Sequence, residues 1–208
     1  MNDYNLTDSE QIAMIKKWWK DYGRAIAVAV AIGLIVGFGW RYWSQHKVER
    51  AQQASVLYQQ LSVADFQKQP KVAMVFANKL KQEYSHSPYA SYAAFWAAKK
   101  AVNNKNLPLA LKNCRWVVTN GRVKSLKQIA RIRAARILLA QKKLKAAMTM
   151  LDRVNDKTFM PLINNVKGDI YTAMGEHKAA RKAFESAKAG MSASIGVVDP
   201  LLDMKLAQ

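Results

Sequence analysis

The chain has 208 residues, half of them hydrophobic, and 33 Lys and Arg against 14 Asp and Glu give it a net charge of +19. That length holds one compact domain and a short additional segment, and the modest Pro and Gly content excludes a collagen-like or low-complexity chain. The single cysteine, Cys114, excludes an internal disulfide framework, and the abundance of Ala, Leu, Lys, Gln and Met favours an all-α fold.

Thr7-Asp8-Ser9-Glu10 has the spacing of a capping box, so a helix is predicted to begin there. Ile12, Ile15, Trp18, Trp19 and Tyr22 then share one face, as in a helix lying at a membrane surface; residues 1–23 read as an amphipathic N-terminal segment. From Ala25 to Trp40 the chain carries no charge, and Arg24 and Arg41 close the run. Sixteen helical residues reach roughly 24 Å, short of a hydrocarbon core of about 30 Å. Trp18, Trp19 and Tyr22 on one side and Trp40, Tyr42 and Trp43 on the other extend the span into both interfaces, with flanking Lys and Arg able to snorkel. A core helix seldom carries such flanks at both ends, and a cleaved signal peptide needs small residues where Trp40-Arg41-Tyr42-Trp43 stands. Residues 24–43 therefore read as an uncleaved transmembrane anchor. Gly33 and Gly37 have the spacing of a helix-packing face, a pattern that Ala/Gly-rich spans also produce by chance. The slight excess of Lys and Arg before the span favours a cytoplasmic N-terminus. The remainder, 44–208, then lies outside the cytoplasm, in the periplasm of a Gram-negative cell.

Beyond about His46 the pattern becomes amphipathic segments of helical period with breaks near Gln69-Pro70, Ser85-Pro88, Asn103-Pro108, Asn120-Gly121, Gln141-Lys143 and Gly175-Glu176. Val48 to Leu61 reads as a helix leaving the membrane and docking on the first helix pair. Gly168, Tyr171, Gly175, Ala180, Phe184 and Ala187 have the spacing of a tetratricopeptide (TPR) repeat, and 34 residues earlier Ala134, Ile137, Ala146 and Met150 match Gly168, Tyr171, Ala180 and Phe184. Small residues let paired helices approach while large ones fill the groove between pairs. A looser copy about 36 residues upstream uses Ala98, Ala101, Ala110 and Cys114, which makes Cys114 a core position. A helix near Leu201–Leu206 is expected to cap the stack. The prediction is an all-α TPR-like solenoid behind one membrane helix.

Nothing in the sequence assembles a catalytic site. His46, His86 and His177 lack metal-ligand spacing, no glycine-rich phosphate loop occurs, and no carboxylates pair for acid–base work, so no enzyme activity and no cofactor or metal are expected. The charge is unevenly placed: between Glu83 and Asp152 there is no acidic residue. Within that interval Lys124, Lys127 and Arg131 share one helical face, and Arg133 and Arg136 another. Either this is a solvated surface, or it is a basic patch that meets acidic protein segments or anionic head groups. Nucleic-acid binding would want aromatics interleaved with the basic residues, whereas Phe95, Trp96 and Trp116 sit on apolar faces and read as core.

The blocks Trp18-Trp19, Tyr22-Gly23-Arg24-Ala25, Gly39-Trp40-Arg41-Tyr42-Trp43, then Ala51, Ala54, Ser55 and Tyr58, and the tail Asp199-Pro200-Leu201-Leu202-Asp203-Met204-Lys205, resemble the YfgM family over nearly the whole chain. The resemblance implies an ancillary subunit of the SecYEG translocon in the inner membrane, with a cytoplasmic N-terminus and a periplasmic TPR-like domain. It also implies a membrane-anchored periplasmic chaperone partner of the PpiD kind and a part in handing secreted proteins to periplasmic chaperones. A membrane-anchored TPR scaffold in envelope-stress regulation or envelope assembly is the alternative. The basic interval departs from the family pattern.

Overall fold

The structure, a computed structural model, describes the backbone of residues 8–195 and 200–207 and the side chains of residues 12–192 and 201–207. The capping box expected at Thr7–Glu10 lies outside the described side chains, as does Asp199 of the tail. Among the described residues the elements are α1 (Asp8–Phe66), α2 (Pro70–Glu83), α3 (Pro88–Asn103), α4 (Leu107–Asn120), α5 (Lys124–Ala140), α6 (Leu144–Asp152), α7 (Met160–Met174), α8 (His177–Ile195) and α9 (Pro200–Leu206). A short 3-10 turn, Lys157–Phe159, leads into α7, and the described residues contain no strand. The chain divides into two compact units, residues 1–51 and 52–208.

In the first unit the apolar run of α1 is bare on all sides; Ile35 and Phe38, for example, are 72% and 70% exposed. A helix that is apolar all round and uncovered belongs in lipid, and α1 is the one helix among the described residues long and apolar enough to cross a membrane. Helical spacing stacks the aromatic flanks: the Trp18 and Tyr22 rings lie 6.1 Å apart, those of Trp40 and Trp43 5.7 Å apart. One turn further on, the Lys47 ammonium sits 3.2 Å above the Trp43 ring. Gly33 and Gly37 face open space.

The second unit is a stack of helical hairpins joined by one recurring turn. Lys68, Lys105, Lys142 and Gly175 all adopt positive φ, between 56° and 78°. The N–H groups of these four residues donate to the carbonyls three residues back, Asp65, Val102, Leu139 and Thr172. The next N–H groups, of Gln69, Asn106, Lys143 and Glu176, reach five residues back to Ala64, Ala101, Leu138 and Tyr171. This double bond closes a helix end and reverses the chain, so each left-handed residue marks the midpoint of a hairpin: α1–α2, α3–α4, α5–α6 and α7–α8. Ser87 and Asn106 cap α3 and α4 with their side chains, and a proline follows each within the first turn.

Counting from these turns gives the register. They follow one another at 37, 37 and 33 residues, and three sets of buried residues then fall into line. Ala73, Ala110, Ala147 and Ala180 occupy the same place on the second helices, all at most 4% exposed. On the first helices Leu61, Ala98, Ala135 and Gly168 are equivalent, and they face Ala77, Cys114, Leu151 and Phe184 on the second. Where one member is large the other is small: Leu/Ala, Ala/Cys, Ala/Leu and Gly/Phe. In the last hairpin the fit is extreme, since a Cβ on Gly168 would lie 2.3 Å from the Phe184 ring.

This register corrects the 34-residue alignment. Ala146 is exposed and Met150 half-buried, while Ala147 and Leu151 point inward, because Lys142 and Gly175 are 33 residues apart. Ala134 and Ile137 are nevertheless buried, as α5 is covered from two sides by the surrounding hairpins. Gly168, Ala180 and Phe184 are buried and Tyr171 half-buried. The segment after Val48 is also more than a docking helix: from Gln52 it is the first arm of the first hairpin, with Ala54, Leu61 and Ala64 packed on Ala73, Ala77 and Leu80. At the other end α9 covers α7 and α8 with Leu202, 1% exposed, while Lys205 bonds Asn165 at 2.9 Å and Asp169 at 2.6 Å.

Two outcomes test this packing. Gly168→Ala alone should destabilise the purified full-length protein by about 1–3 kcal/mol, and adding Phe184→Leu, which recreates the Ala135/Leu151 combination, should recover much of the loss. Urea unfolding in mild detergent measures the coupling, and strictly additive effects would show that the two residues do not compete for the same space. Burial pushes the Cys114 thiol up to about 11, against the opposing pull of Arg133. A thiol reagent at pH 8 should therefore modify it only on unfolding, and rapid modification in native buffer would place it outside the core.

Candidate functional site

The first arms of the first three hairpins, α1, α3 and α5, form one face of the stack, and two adjoining clefts open there. One, of about 350 Å³, is lined by Tyr58, Tyr92, Phe95, Trp96, Lys99, Leu126, Ile129 and Arg133. The other, of about 370 Å³, shares Phe95, Lys99 and Arg133 and adds Arg136, with Ala98 and Cys114 among the residues lining it. Shared walls make them a single groove along α3 and α5.

One wall is aromatic. The Tyr58 ring lies 5.6 Å from Tyr89 and 5.9 Å from Tyr92, and Tyr89 and Tyr92 meet edge to face at 6.3 Å. Burial, with a smaller contribution from Tyr92, raises the Tyr58 phenol above its ordinary range. The rim is cationic. The Arg133 guanidinium stands 4.4 Å from the Phe95 ring centroid, and Lys99 and Arg136 are exposed beside it. No carboxylate lines either cleft. The nearby Asp65 is occupied by Lys100 at 2.6 Å, which with the Trp96 indole holds its carboxyl below the usual range. The groove is thus an apolar, ring-lined trough with positive charge at its edge and no carboxylate in its lining.

The five basic residues singled out in the sequence do not act as one patch. Arg133 and Arg136 line the groove. Lys124, Lys127 and Arg131 lie on the other side of α5, where Lys124 is exposed and Lys127 half-buried. Arg131 is tied down: it donates to Gln128 Oε1 at 2.8 Å, and Gln128 in turn bonds Asn155. Lys99, Tyr58, Tyr92 and Trp96 were not legible as site residues, and Trp96 reads as core in the sequence although it is only half-buried. The signal that finds them is the 37-residue interval between left-handed turns, which puts Trp96 in line with Arg133 and Lys99 with Arg136. On α7 the same place belongs to Asp169, neutralised by Lys205.

The other polar features are structural. His86 accepts from Arg122 at 2.8 Å and joins the loop before α3 to the loop before α5. Among the described residues no group of His, Cys, Asp or Glu could hold a metal ion. The anchor residues Trp18, Trp19, Trp40, Tyr42 and Trp43 are all exposed on α1, as are Arg24 and Arg41, the arrangement that interfacial anchoring needs.

The family model of a tetratricopeptide repeat-like domain matches residues 16–208, from the start of the anchor region through the whole stack. A Haemophilus influenzae protein described as an ancillary SecYEG translocon subunit is 30% identical over 185 residues, 89% of this chain and 90% of that protein. Proteins of the same description from Aggregatibacter actinomycetemcomitans and Escherichia coli K12 are 28% and 26% identical, over 89% and 86% of the chain and 90% and 86% of their own lengths. No solved structure matches the chain. With an apolar span, four hairpins of TPR type and a likeness that runs through both, the chain belongs to the tetratricopeptide repeat-like family of ancillary SecYEG translocon subunits.

Proposed function

We propose that the protein is a non-catalytic scaffold of the SecYEG translocon, anchored by α1 in the inner membrane with its N-terminus in the cytoplasm and its helical stack in the periplasm. There it assists the hand-over of emerging secreted proteins to periplasmic chaperones, one of them membrane-anchored and PpiD-like. The observation that carries this reading is the near full-length likeness to ancillary translocon subunits, anchor and repeats together. The physical logic is effective concentration: a tether near the exit site lets individually weak contacts suffice. The groove along α3 and α5 supplies such contacts, with the Tyr58–Tyr92–Trp96 wall for apolar side chains and Lys99, Arg133 and Arg136 for acidic ones. Lys124, Lys127 and Arg131, on the other side of α5, add long-range attraction.

Purification of the full-length protein from native membranes in mild detergent, beside a chain lacking residues 1–43, tests the assignment. Sec subunits and a periplasmic chaperone should accompany the full-length protein only; a stress regulator or an envelope-assembly complex in their place would refute it. Arg133→Glu with Arg136→Glu should weaken capture of the periplasmic partner about tenfold or more at low salt, with the gap closing towards 0.5 M salt as screening removes the attraction. Lys124→Glu with Lys127→Glu should have a smaller effect, because these residues lie outside the groove. Unchanged binding in both variants would remove electrostatics from the mechanism.

A further inference from the structure

The first hairpin presents a second surface, on the side of α1 turned away from the stack. Residues 51–64 contain no charged side chain, in a chain where 23% of residues are charged. Along this segment Gln52, Val56, Gln59, Val63 and Phe66 follow one another at alternating intervals of four and three residues. That is the a/d spacing of a coiled coil, with valine at both a positions and Gln52, Gln59 and Phe66 at d. Much of the stripe is open: Val56 is 52%, Val63 51% and Phe66 89% exposed. It lies opposite the face that carries Ala54, Leu61 and Ala64 into the core. Between it and α2 runs a groove of about 480 Å³ whose far wall includes Val72 and Phe76, and no ionisable group lines it.

We propose that this face docks a second copy of the chain, the two α1 segments lying parallel, stripe to stripe. Charge selects the occupant. Two chains of +19 repel each other over most of their surfaces, and a neutral face is where identical basic molecules meet at least cost. An acidic partner would gain nothing from such a face and would be drawn to the basic groove instead. The parallel sense follows from both chains entering one membrane in the same direction. Two heptads are too short to pair in free solution, but confinement to a bilayer raises the effective concentration of like segments.

Single cysteines in the full-length protein in native membranes test this, with Cys114 left in place because it is buried. Val63→Cys and Val56→Cys lie on the stripe, whereas Ser62→Cys is exposed on the same helix beyond its edge. Mild oxidation should convert Val63→Cys and Val56→Cys into a species of twice the 23.4 kDa chain mass, several-fold more efficiently than Ser62→Cys. Introducing Val56→Lys beside Val63→Cys should abolish that species while the helical circular dichroism stays unchanged. No dimer, equal yields at positions 62 and 63 as random collision would give, or an adduct of any other mass would overturn the proposal. Co-purification of Sec subunits from the same membranes separates the two ideas: a dimer without them counts against the proposed function alone.

Discussion

The second unit depends on how closely the two arms of a hairpin approach. A single turn geometry, repeated at Lys68, Lys105, Lys142 and Gly175, fixes where the arms begin to run back along each other. A buried alanine stands on every second arm, at 73, 110, 147 and 180, where its small side chain lets the paired helices approach. The facing pair is made up in four different ways, with Leu61/Ala77, Ala98/Cys114, Ala135/Leu151 and Gly168/Phe184. A lysine in a left-handed conformation is unfavourable by roughly 1 kcal/mol, so the recurrence of lysine at three turns shows that hairpin packing outweighs local preference.

The same packing decides where charge is free. Several of the few acidic residues are drawn into contacts between helices: Asp65 with Lys100, Asp152 with Lys167, Asp169 with Lys205 and Asp203 with Lys188. Partly exposed pairs of this kind add at most about 1 kcal/mol each to stability. The middle of the stack, between Glu83 and Asp152, has no carboxylate of its own. Lys99, Arg133 and Arg136 stand at the edge of an aromatic trough whose lining holds no carboxylate. On α7, where the equivalent residue is Asp169, Lys205 of the capping helix quenches the charge, so the positive groove ends within the stack.

The surface is therefore of two kinds. One face is basic and ring-lined, suited to an acidic or aromatic segment of another protein; the outer side of the first hairpin is neutral and apolar, suited to a like molecule. Both belong to a domain tethered by an uncovered apolar helix with aromatic residues at its two ends, which turns weak association into local association.

Read by itself, the sequence determined what depends on neighbouring residues. The long apolar helix is legible because sixteen uncharged residues between arginines form one local run, and the helical hairpins because their amphipathic period and breaks are local. The burial of Cys114, Gly168, Ala180 and Phe184 follows from the same period. The register of the repeats did not follow, since a 34-residue match and the actual 33-residue interval differ by one position and both place alanines on an inner face; only the turn at Lys142 shows that Ala147, not Ala146, points inward. Helical spacing already set Arg131 apart from Arg133 and Arg136, but the acid-free interval could not say that Lys99, on a different helix, shares the surface of the latter two. That grouping comes from helices brought side by side across 37 residues of chain, and long-range packing of this sort leaves no mark on any short stretch of sequence.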